Sequence, residues 1–449
     1  MNILILHSTR YDIIAYDRAI DHDSHHVFYI GVKSRLDDIP AGLRCAKIER
    51  EGRESLYREA EEAISRLDIA FDFLICVAEY ELMDAARLRK RFNIPGPLPE
   101  QAEKVRNKAV MKRCVAEHGI RIPQFATLQA WMAGARLPIA PGGEVVLKPL
   151  DGASSVNVRR FENQWVLRNA LESKTTGVAA LDGGDPSNLA SFEVEEYISG
   201  PVLHIDGIVK DGEIQIIQAS RYVNTLLDFA NGKPAGSIQI ETGPALRTWA
   251  ERILAAVEIR QGAFHLEAID HIDGIVFLEV AHRVGGARIT ETFERKTGIH
   301  LSIADIRTIT DPDYVLRPRW DNEHYFGWFV VPAHHLNKPY CRVAGYKFLE
   351  ALDHLVTLNK LDATKTVPAK VTYAETLLPL AGMLKGSEPE ELLLILNELF
   401  ETLTVEGLDA PTEEGLARRC CHSVADMVNT RALIRHACDA SPEKEPIHQ

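Results

Sequence analysis

The sequence predicts a protein of mixed architecture, with an α/β unit at its N-terminus and α+β regions after it. Two observations predict this division. Over residues 1–97, short apolar runs and a charged helical stretch alternate, as is typical of strands buried in a parallel sheet. Beyond residue 190, pairs of β-like runs flank Asp-Gly turns, as is typical of antiparallel hairpins.

Three apolar runs near the N-terminus have the form of buried parallel strands. They are Asn2–Leu6, Val27–Val32 and Phe71–Val77, and a charged helical stretch, Glu54–Leu67, precedes the third. Strands that alternate with helices predict βαβ units and a small, doubly wound, Rossmann-like sheet. The turn at 93–99 is rich in proline and glycine and predicts a linker, so we place the first domain at 1–97.

A basic helical segment, Gln101–Gly119, opens the next region and ends at a glycine, which is a common helix stop. β-like sequence follows at Val145–Lys148, and a turn of small residues, Asp151–Ser155, comes directly after it. We place this second region at 98–190.

Two hairpins are predicted in the third region, which we place at 191–325. The first joins Leu203–Val209 to Ile214–Ile217 through Asp211-Gly212. The second joins His265–Ile269 to Ile275–Val280 through residues around Asp273-Gly274.

The C-terminal part returns to mixed strands over 326–405 and ends in an amphipathic helix. That helix is predicted at Glu390–Leu403, with Pro389 at its start, where a proline is tolerated. The remaining residues, 406–449, are interpreted as a helical extension with a disordered tail.

Composition excludes several classes of protein. A formal net charge of −13 over 449 residues argues against nucleic-acid and membrane-surface partners, which usually require a basic face. No stretch approaches the length of about 20 apolar residues that a membrane span requires, and the N-terminus lacks the pattern of a signal peptide. The seven scattered cysteines suggest neither a zinc site nor a disulfide framework. We therefore expect a cytoplasmic protein.

Two lysines on different elements can supply positive charge to a polyphosphate. Lys108 lies in NKAVMK, and Lys148 lies in VVLKPLDGASS, directly before the small-residue turn. Such a turn allows backbone N–H groups to approach phosphate closely. Each signal alone is weak, because a lysine is more often part of a solvated face, and the order of residues is not that of a Walker loop.

The stronger pattern is HLEAIDHIDGIVFLEVAHRVGG at 265–286, in which Glu267 and Glu279 can face each other across the predicted hairpin. Apolar residues flank both, and a desolvated carboxylate requires a positive partner. Magnesium, held by the two carboxylates and by substrate phosphates, would satisfy that requirement. Arg283, ahead of Gly285-Gly286, is the alternative partner, and a buried Glu–Arg ion pair is then the competing interpretation.

A third pattern is acidic. Glu193, Glu195 and Glu196 lie in FEVEEYISG, where strand alternation sends the first two to one side and the third to the other. Outward glutamates on a strand are common; the functional interpretation is an edge that binds adenine through backbone groups. His204 and His265 lie in similar alternating runs, and two histidines without further ligands make a zinc site an unfavoured interpretation.

Taken in order, these segments resemble the ATP-grasp superfamily, in particular its carboxylate–amine ligases, which include the L-amino acid (dipeptide) ligases. The segments that carry the resemblance are 95–125, 145–158, 192–214 and 264–289, with a weaker match at 380–392. The resemblance implies an ATP-grasp fold, in which an N-terminal Rossmann-like domain precedes two α+β lobes that enclose the nucleotide.

The resemblance also implies roles for individual residues. Lys108 and Lys148 would contact ATP phosphates, Glu267 and Glu279 would hold Mg²⁺ or its substitute Mn²⁺, and Arg283 would bind the reacting carboxylate and its acyl-phosphate. A mobile glycine-rich loop would close at residues 151–156, through Gly152, Ala153, Ser154 and Ser155. The hinge that contacts adenine would consist of Glu193, Glu195, Glu196, Tyr197 and Ile198.

Three positions depart from the family's pattern. Asn107 stands where Asp is frequent, Val202 stands at the usual ribose ligand, and Ala281 replaces an Asn that often binds the metal. These departures put the ribose contact in doubt and leave two carboxylates for the metal, which is chemically sufficient if phosphate oxygens and water complete the shell.

The function expected from this pattern is ATP-dependent amide formation between a small-molecule carboxylate and an amine, with an acyl-phosphate intermediate and with Lys148 and Arg283 as catalytic residues. Two alternatives are a nucleotide-binding regulator without turnover and a ligase with a thiol or hydroxyl acceptor. The residues assigned to the substrate side are His204, Tyr222, His265, Arg283, Gly285, Gly286 and Arg288. The sequence fixes neither the substrates nor the general base, for which His204, His265 and His282 are candidates, and a homodimer is compatible with it.

Overall fold

The N-terminal part forms a parallel sheet with helices on both faces. The computed structural model describes residues 1–140 and 142–411. The strands are β1 (Asn2–Leu6), β2 (His26–Gly31), β3 (Ala46–Glu49) and β4 (Phe73–Cys76), in the order β3-β2-β1-β4. The helices are α1 (Tyr11–Ile14), α2 (Tyr16–Ala19), α3 (Lys33–Leu36), α4 (Leu56–Ser65) and α5 (Leu82–Phe92).

The alternation of β1 explains why this sheet is covered twice. Ile3 and Ile5 pack into one apolar cluster, whereas Leu4 and Leu6 pack into another on the opposite face. The doubly wound sheet predicted from the apolar runs is confirmed. The edge strand β3 was not predicted, because its sequence, AKIE, is mostly exposed and carries charges.

The basic helical segment is two helices rather than the one that was predicted. Helix α6 (Pro99–Arg106) ends at Asn107, and helix α7 (Lys108–Glu117) begins directly after it. Asn107 is extended, and its side chain accepts hydrogen bonds from the backbone N–H groups of Ala109 and Val110 at 3.1 and 3.3 Å. An N-cap of this kind starts a new helix and fixes Lys108 as its first residue.

A small antiparallel sheet follows. Its elements are β5 (Phe125–Thr127), α8 (Leu128–Met132), β6 (Val145–Pro149), β7 (Arg159–Phe161), α9 (Gln164–Glu172), α10 (Ala179–Asp182) and β8 (Phe192–Glu196). The strand order is β5-β8-β6-β7. The boundary placed at 190/191 therefore precedes the last strand of this sheet, which ends at Glu196. Helices α6 and α7, included in 98–190, instead pack through Val105, Met111 and Val115 into the apolar core of the larger sheet.

The larger sheet has eight strands and carries most of the remaining elements. They are β9 (Val202–Lys210), β10 (Glu213–Val223), α11 (Leu226–Ala230), β11 (Ala235–Gln239), α12 (Pro244–Ala256), β12 (Gly262–His271), β13 (Gly274–Ala281), α13 (Ile289–Thr297), α14 (Leu301–Thr310), β14 (Tyr325–Val331), β15 (Tyr340–Ala344), β16 (Leu355–Lys360), β17 (Leu380–Gly386), α15 (Pro389–Thr402) and β18 (Thr404–Leu408). The sheet order is β13-β12-β9-β10-β11-β14-β17-β16, and β15 and β18 form a separate pair.

Both predicted hairpins are present, as β9–β10 and β12–β13. Strands β14, β16 and β17 from residues 326–405 extend the same sheet, and α15 packs on it. The helical extension expected from residue 406 is wrong at its start, because Thr404–Leu408 is a strand that pairs with β15. Residues 412–449 of that extension lie outside the described residues. Among the described helices, none has the length and apolarity needed to cross a membrane.

One buried acid joins α14 to the strand that carries the site. Asp305 accepts a hydrogen bond from the backbone N–H of Ala263, at the start of β12, at 2.6 Å. Burial raises the pKa of Asp305 from 3.8 to about 6, although the hydrogen bond from Ala263 opposes the rise. Between pH 3.8 and about pH 6, the folded state therefore keeps a proton on Asp305 that the unfolded state has released.

We therefore expect Asp305 to stabilise the fold fully below pH 3.8 and to lose that contribution as the pH rises through about 6. Asp305→Asn should remove this contribution to the pH dependence of the free energy of unfolding. The free energy of unfolding in urea, taken as variant minus wild type, should be roughly 2 kcal/mol higher at pH 7 than at pH 4. The exposed Asp313→Asn variant is the control; parallel pH profiles for Asp305→Asn and the wild type would contradict the assignment.

Candidate active site

The small and large sheets face each other across a cleft with a cavity of about 400 Å³. The small sheet and its loop contribute Lys148, Gly152, Ala153 and Ser155 to the lining. The large sheet contributes Tyr222, Glu267, Leu278 and Glu279, and helix α7 contributes Lys108. The segment between β8 and β9 closes one end. Residues from 108 to 279 in the sequence therefore meet at one place.

The connection between β8 and β9 forms the hinge of the cleft. Glu195, Glu196, Tyr197 and Ile198 line it. The backbone N–H of Glu196 donates to the carbonyl of Gln124 at 2.8 Å, and that of Tyr197 donates to the carbonyl of Glu144 at 3.0 Å. These bonds fix the strand end and present its side chains to the cavity.

Glu193 does not reach the cleft, because its side chain has no exposed surface. The expected alternation holds: Glu193 and Glu195 point to one side of β8, and Glu196 points to the other. Glu193 is instead bonded to Lys112, and its assignment to the hinge that contacts adenine stays a prediction.

Four buried charges form a cluster beneath the hinge. The Nζ atom of Lys112 lies 2.7 Å from Glu193 Oε1 and also contacts Glu195 Oε2. The Nζ atom of Lys148 lies 2.7 Å from Glu195 Oε1 and 3.8 Å from Glu193 Oε1. Burial alone would lower the pKa of Lys148, but the carboxylates of Glu195, Glu193 and Glu279 raise it above its ordinary value. Lys148 is therefore held as a cation.

Lys112 was not singled out from the sequence, although a signal for it existed. It lies four residues after Lys108 on α7, so that the two side chains project from one face of the helix. Lys112 has no exposed side-chain surface. A lysine that is buried to this degree requires carboxylate partners, and Glu193 and Glu195 provide them.

Glu267 and Glu279 are direct partners in the register of β12 and β13, as the hairpin predicted. Glu279 lies 3.2 Å from the Nζ atom of Lys108. Burial raises the pKa of Glu279, but Lys108 and Lys148 outweigh that effect and hold it at about 2. Tyr222 donates its hydroxyl hydrogen to Glu267 Oε1 at 3.0 Å. Two adjacent carboxylates that line a cleft offer the oxygen donors that Mg²⁺ prefers.

His204 and His265 form a closed network with Asp206. The carboxylate of Asp206 lies 2.6 Å from His204 Nδ1 and 2.8 Å from His265 Nδ1, and Ser237 Oγ lies 2.6 Å from His204 Nε2. Ligand atoms on one tetrahedral zinc ion, at about 2.1 Å from it, would lie more than about 3 Å apart. The observed distances are therefore those of hydrogen bonds, and the absence of zinc stays a prediction.

His265 connects this network to Glu267, at 3.4 Å from its Nε2 atom. Burial lowers the pKa of His265, but the carboxylate of Asp206 outweighs burial and raises it to about 10. Gly285 lies against the same groups: a Cβ atom there would be 2.8 Å from both Asp206 Oδ1 and His265 Nδ1. His282 lies apart from the network, with Nε2 at 2.6 Å from the carbonyl of Gln261.

Arg283 does not pair directly with Glu267 or Glu279, so the competing ion-pair interpretation was wrong about the partner. Its Nε group donates to Glu79, in the N-terminal part of the chain, and its Nη1 group donates to the carbonyl of Val284 at 2.8 Å. Glu79 was missed because its partner lies 204 residues away in the sequence. No local pattern marks such a pair.

Arg288 contacts an acid and a hydroxyl of the C-terminal part. Its Nη2 atom lies 3.4 Å from Glu375 Oε2, and its Nη1 group donates to Thr357 Oγ1 at 2.9 Å. Arg288 is buried. Gly286 has open space where a Cβ atom would lie.

The loop that follows β6 is held by side chains from two other parts of the chain. Lys108 donates to the carbonyl of Gly152 at 2.7 Å, Arg106 donates to that of Asp151, and Tyr80 donates to that of Ala153 at 3.5 Å. Ser154 and Ser155 have φ values of 59° and 54°, in the left-handed region. The turn is therefore compact, and two cationic side chains and one tyrosine donate to its carbonyl groups.

Comparison with known proteins gives this geometry a class. Residues 142–291 match the ATP-grasp domain family. Over 91% of this chain and 98% of the other, the structure superposes on the L-amino acid ligase of Bacillus licheniformis with a TM-score of 0.66 and 17% identity. It superposes on the N5-carboxyaminoimidazole synthetase of Staphylococcus aureus, in complex with ADP, with a TM-score of 0.61 and 11% identity, over 89% and 96%. The chain therefore has the ATP-grasp fold, and residues 142–291 form an ATP-grasp domain.

Within that class, the chain resembles the carboxylate–amine ligase type. It is 26% identical over 275 residues to the L-arginine-specific L-amino acid ligase of Bacillus subtilis. That match covers 59% of this chain and 63% of the ligase, which is less than two thirds of the relative's length.

We expect Lys112→Met to destabilise the fold by about 3–5 kcal/mol, because it leaves two buried carboxylates with one lysine. The measurement is the free energy of unfolding in urea. Lys104→Met is the matched control, since Lys104 forms a partly exposed ion pair with Glu258 and should contribute about 1 kcal/mol or less. Equal losses in the two variants would show that the buried cluster is not what requires Lys112.

Proposed function

We propose that the protein is an ATP-dependent carboxylate–amine ligase that forms an amide through an acyl-phosphate and releases ADP and phosphate. One observation carries this proposal. The Glu267–Glu279 pair faces a cleft that also contains Lys108 and Lys148, and all of these residues except Lys108 lie within the matched range 142–291. Carboxylates for a metal beside lysines for phosphates are what phosphoryl transfer requires.

The nucleotide is assigned to the cleft. Its base would lie at the hinge, against the backbone of residues 196–198, and its phosphates would lie toward Lys108, Lys148 and the loop at 151–156. Lys148 is suited to this role because Glu195 and Glu193 fix its position and its charge. In this assignment Glu195 belongs to the hinge that contacts adenine and also positions Lys148.

Glu267 and Glu279 would hold Mg²⁺, and Mn²⁺ shares the preference of Mg²⁺ for oxygen donors. The metal ion, when it is bound, would neutralise charge on the phosphates. Tyr222 and His265 both contact the carboxylate of Glu267 and would orient it toward the metal.

The reaction would proceed in two displacements. An oxygen of the substrate carboxylate forms a bond to the γ-phosphorus of ATP, the bond from that phosphorus to the bridging oxygen breaks, and ADP leaves. The amine nitrogen then forms a bond to the acyl carbon, the bond from that carbon to the phosphate oxygen breaks, and the nitrogen releases a proton. Lys148 would stabilise charge in the first step, and Arg283 would stabilise the oxyanion in the second.

Amino acids are the substrate class that we propose for both the acid and the amine. This rests on the resemblance to proteins named L-amino acid ligases, from which the chain differs at most positions. Tyr222, His265, Arg283 and Arg288 are assigned to the substrate side, whereas His204 would act through Asp206. We also assign the protein to the cytoplasm, consistent with four free cysteines among the described residues, and a homodimer stays a prediction.

The test is release of ADP by the purified protein with Mg²⁺, ATP and a panel of amino acids, offered singly and in pairs. Ligation requires ADP release that depends on a pair, together with a new amide detected by mass spectrometry. ATP binding without stimulated release by any carboxylate would overturn the proposal and favour a regulator without turnover. Release that depends on a thiol or hydroxyl acceptor would instead identify the other alternative.

We expect Glu279→Gln and Arg283→Lys each to lower kcat by about 100-fold or more, because each removes charge or geometry from the transition state. Asp273→Asn is the control: Asp273 lies at the exposed turn of the same hairpin and should leave kcat unchanged. Circular dichroism checks that all three variants fold. Full activity in both active-site variants would remove the residue assignments even if the wild type ligates.

A further inference from the structure

A single carboxylate from the N-terminal part contacts two arginines at the edge of the active site. Glu79 begins a short 3-10 helix, Glu79–Glu81, that follows strand β4. Its Oε1 atom accepts from Nη1 of Arg106, and its Oε2 atom accepts from Nε of Arg283. The side chain of Glu79 is 11% exposed.

Glu79 is ionised in this setting. Burial raises the pKa of Glu79, but the guanidinium groups of Arg283 and Arg106 outweigh burial and hold it below its ordinary value. A carboxylate that is shared by two arginines forms charge-assisted bonds, which are shorter and stronger than neutral ones. The guanidinium of Arg283 is thus fixed from the N-terminal side.

Arg283 lies between two sets of acids. Glu79 contacts it, whereas Glu279 and Glu267 act on it electrostatically from the metal-binding hairpin. Without Glu79, the guanidinium would be drawn toward the metal carboxylates, where it would compete with a cation for them. The bond to Glu79 therefore directs the Nε group of Arg283 to the N-terminal part and leaves Glu267 and Glu279 available to a cation.

The segment that carries Glu79 also contacts the phosphate loop. Arg106, the second partner of Glu79, donates to the carbonyl of Asp151, and Tyr80 donates to that of Ala153 at 3.5 Å. The short stretch that contains Glu79 and Tyr80 therefore contacts both the loop and Arg283.

We propose that Glu79 is a positioning residue, which holds Arg283 where it can bind the acyl-phosphate and the oxyanion. This inference rests on the proposed function. Glu79 acts through the two arginines and does not contact substrate. A misplacement of about 1 Å at a reacting centre can cost about 100-fold in rate, so the loss of this contact should affect kcat far more than binding of ATP.

The experiment measures acyl-phosphate formation by trapping it with hydroxylamine as a hydroxamate, which does not depend on knowledge of the natural amine. Glu79→Gln should lower kcat about 100-fold while KM for ATP stays within about threefold. Glu79→Asp keeps the charge but is shorter by one methylene, so its kcat should lie between those of the wild type and Glu79→Gln.

Glu59→Gln is the matched control. Glu59 forms another Arg–Glu pair in the N-terminal part, with Arg50 at 3.4 Å, and both side chains have little exposure. Its loss should lower thermal stability without changing kcat. A kcat of Glu79→Gln equal to that of the wild type, or an equal fall in Glu59→Gln, would overturn the inference.

Two further outcomes are informative. If Glu79→Gln, assayed with the amine, raises KM for the amine and leaves kcat unchanged, Glu79 contacts the substrate and the positioning role is wrong. If the wild type forms no hydroxamate from any carboxylate, the proposed function has failed. If the wild type forms it and Glu79→Gln forms it at the same rate, only the inference about Glu79 has failed.

Discussion

The described structure depends on the neutralisation of charge that is buried under the hinge. Lys112 and Lys148 lie among the carboxylates of Glu193 and Glu195, and all four side chains are almost completely buried. A charge in such a place is tolerated only when its partners are close and well oriented. Because Lys112 belongs to α7, while the other three belong to β6 and β8, the cluster also ties the helix to the small sheet. The place of Lys148 in the cleft follows from that arrangement.

The same principle relates the other contacts of the cleft. Lys108 pairs with Glu279, Tyr222 and His265 satisfy Glu267, and Glu79 satisfies Arg283. Lys108, Glu267 and Arg283 thus each have a partner from a different element of the chain. Preorganised charges of this kind need little rearrangement when charge develops on a substrate, which is the largest source of catalysis in many enzymes. The ion pairs that fix the positions of these elements therefore also set the electrostatics of the cleft.

The sequence predicts those parts of the site that depend on local pattern. The Asp-Gly turn and its flanking runs place Glu267 opposite Glu279, and the alternation of β8 separates Glu196 from Glu195. What the sequence does not reveal depends on contacts between distant segments. The pairing of Arg283 with Glu79 has no local signature, and Lys112 resembles any lysine on a helix until β8 is placed beside it. The break at Asn107 was missed because a capping side chain competes with helix continuation only where the next segment turns away.

The contact between Lys108 and Glu279, at 3.2 Å, links the proposed metal site to the proposed phosphate site. A divalent cation on Glu279 would compete with Lys108 for the same carboxylate, and the phosphate oxygens that accompany the cation would offer the lysine a new partner. Lys108 also donates to the carbonyl of Gly152, so its movement would release a bond that holds the loop. Exchange of partners costs less than desolvation of a free lysine and a free carboxylate, because both are already largely removed from water. In this way the ion pairs that stabilise the cleft are also those that binding would rearrange.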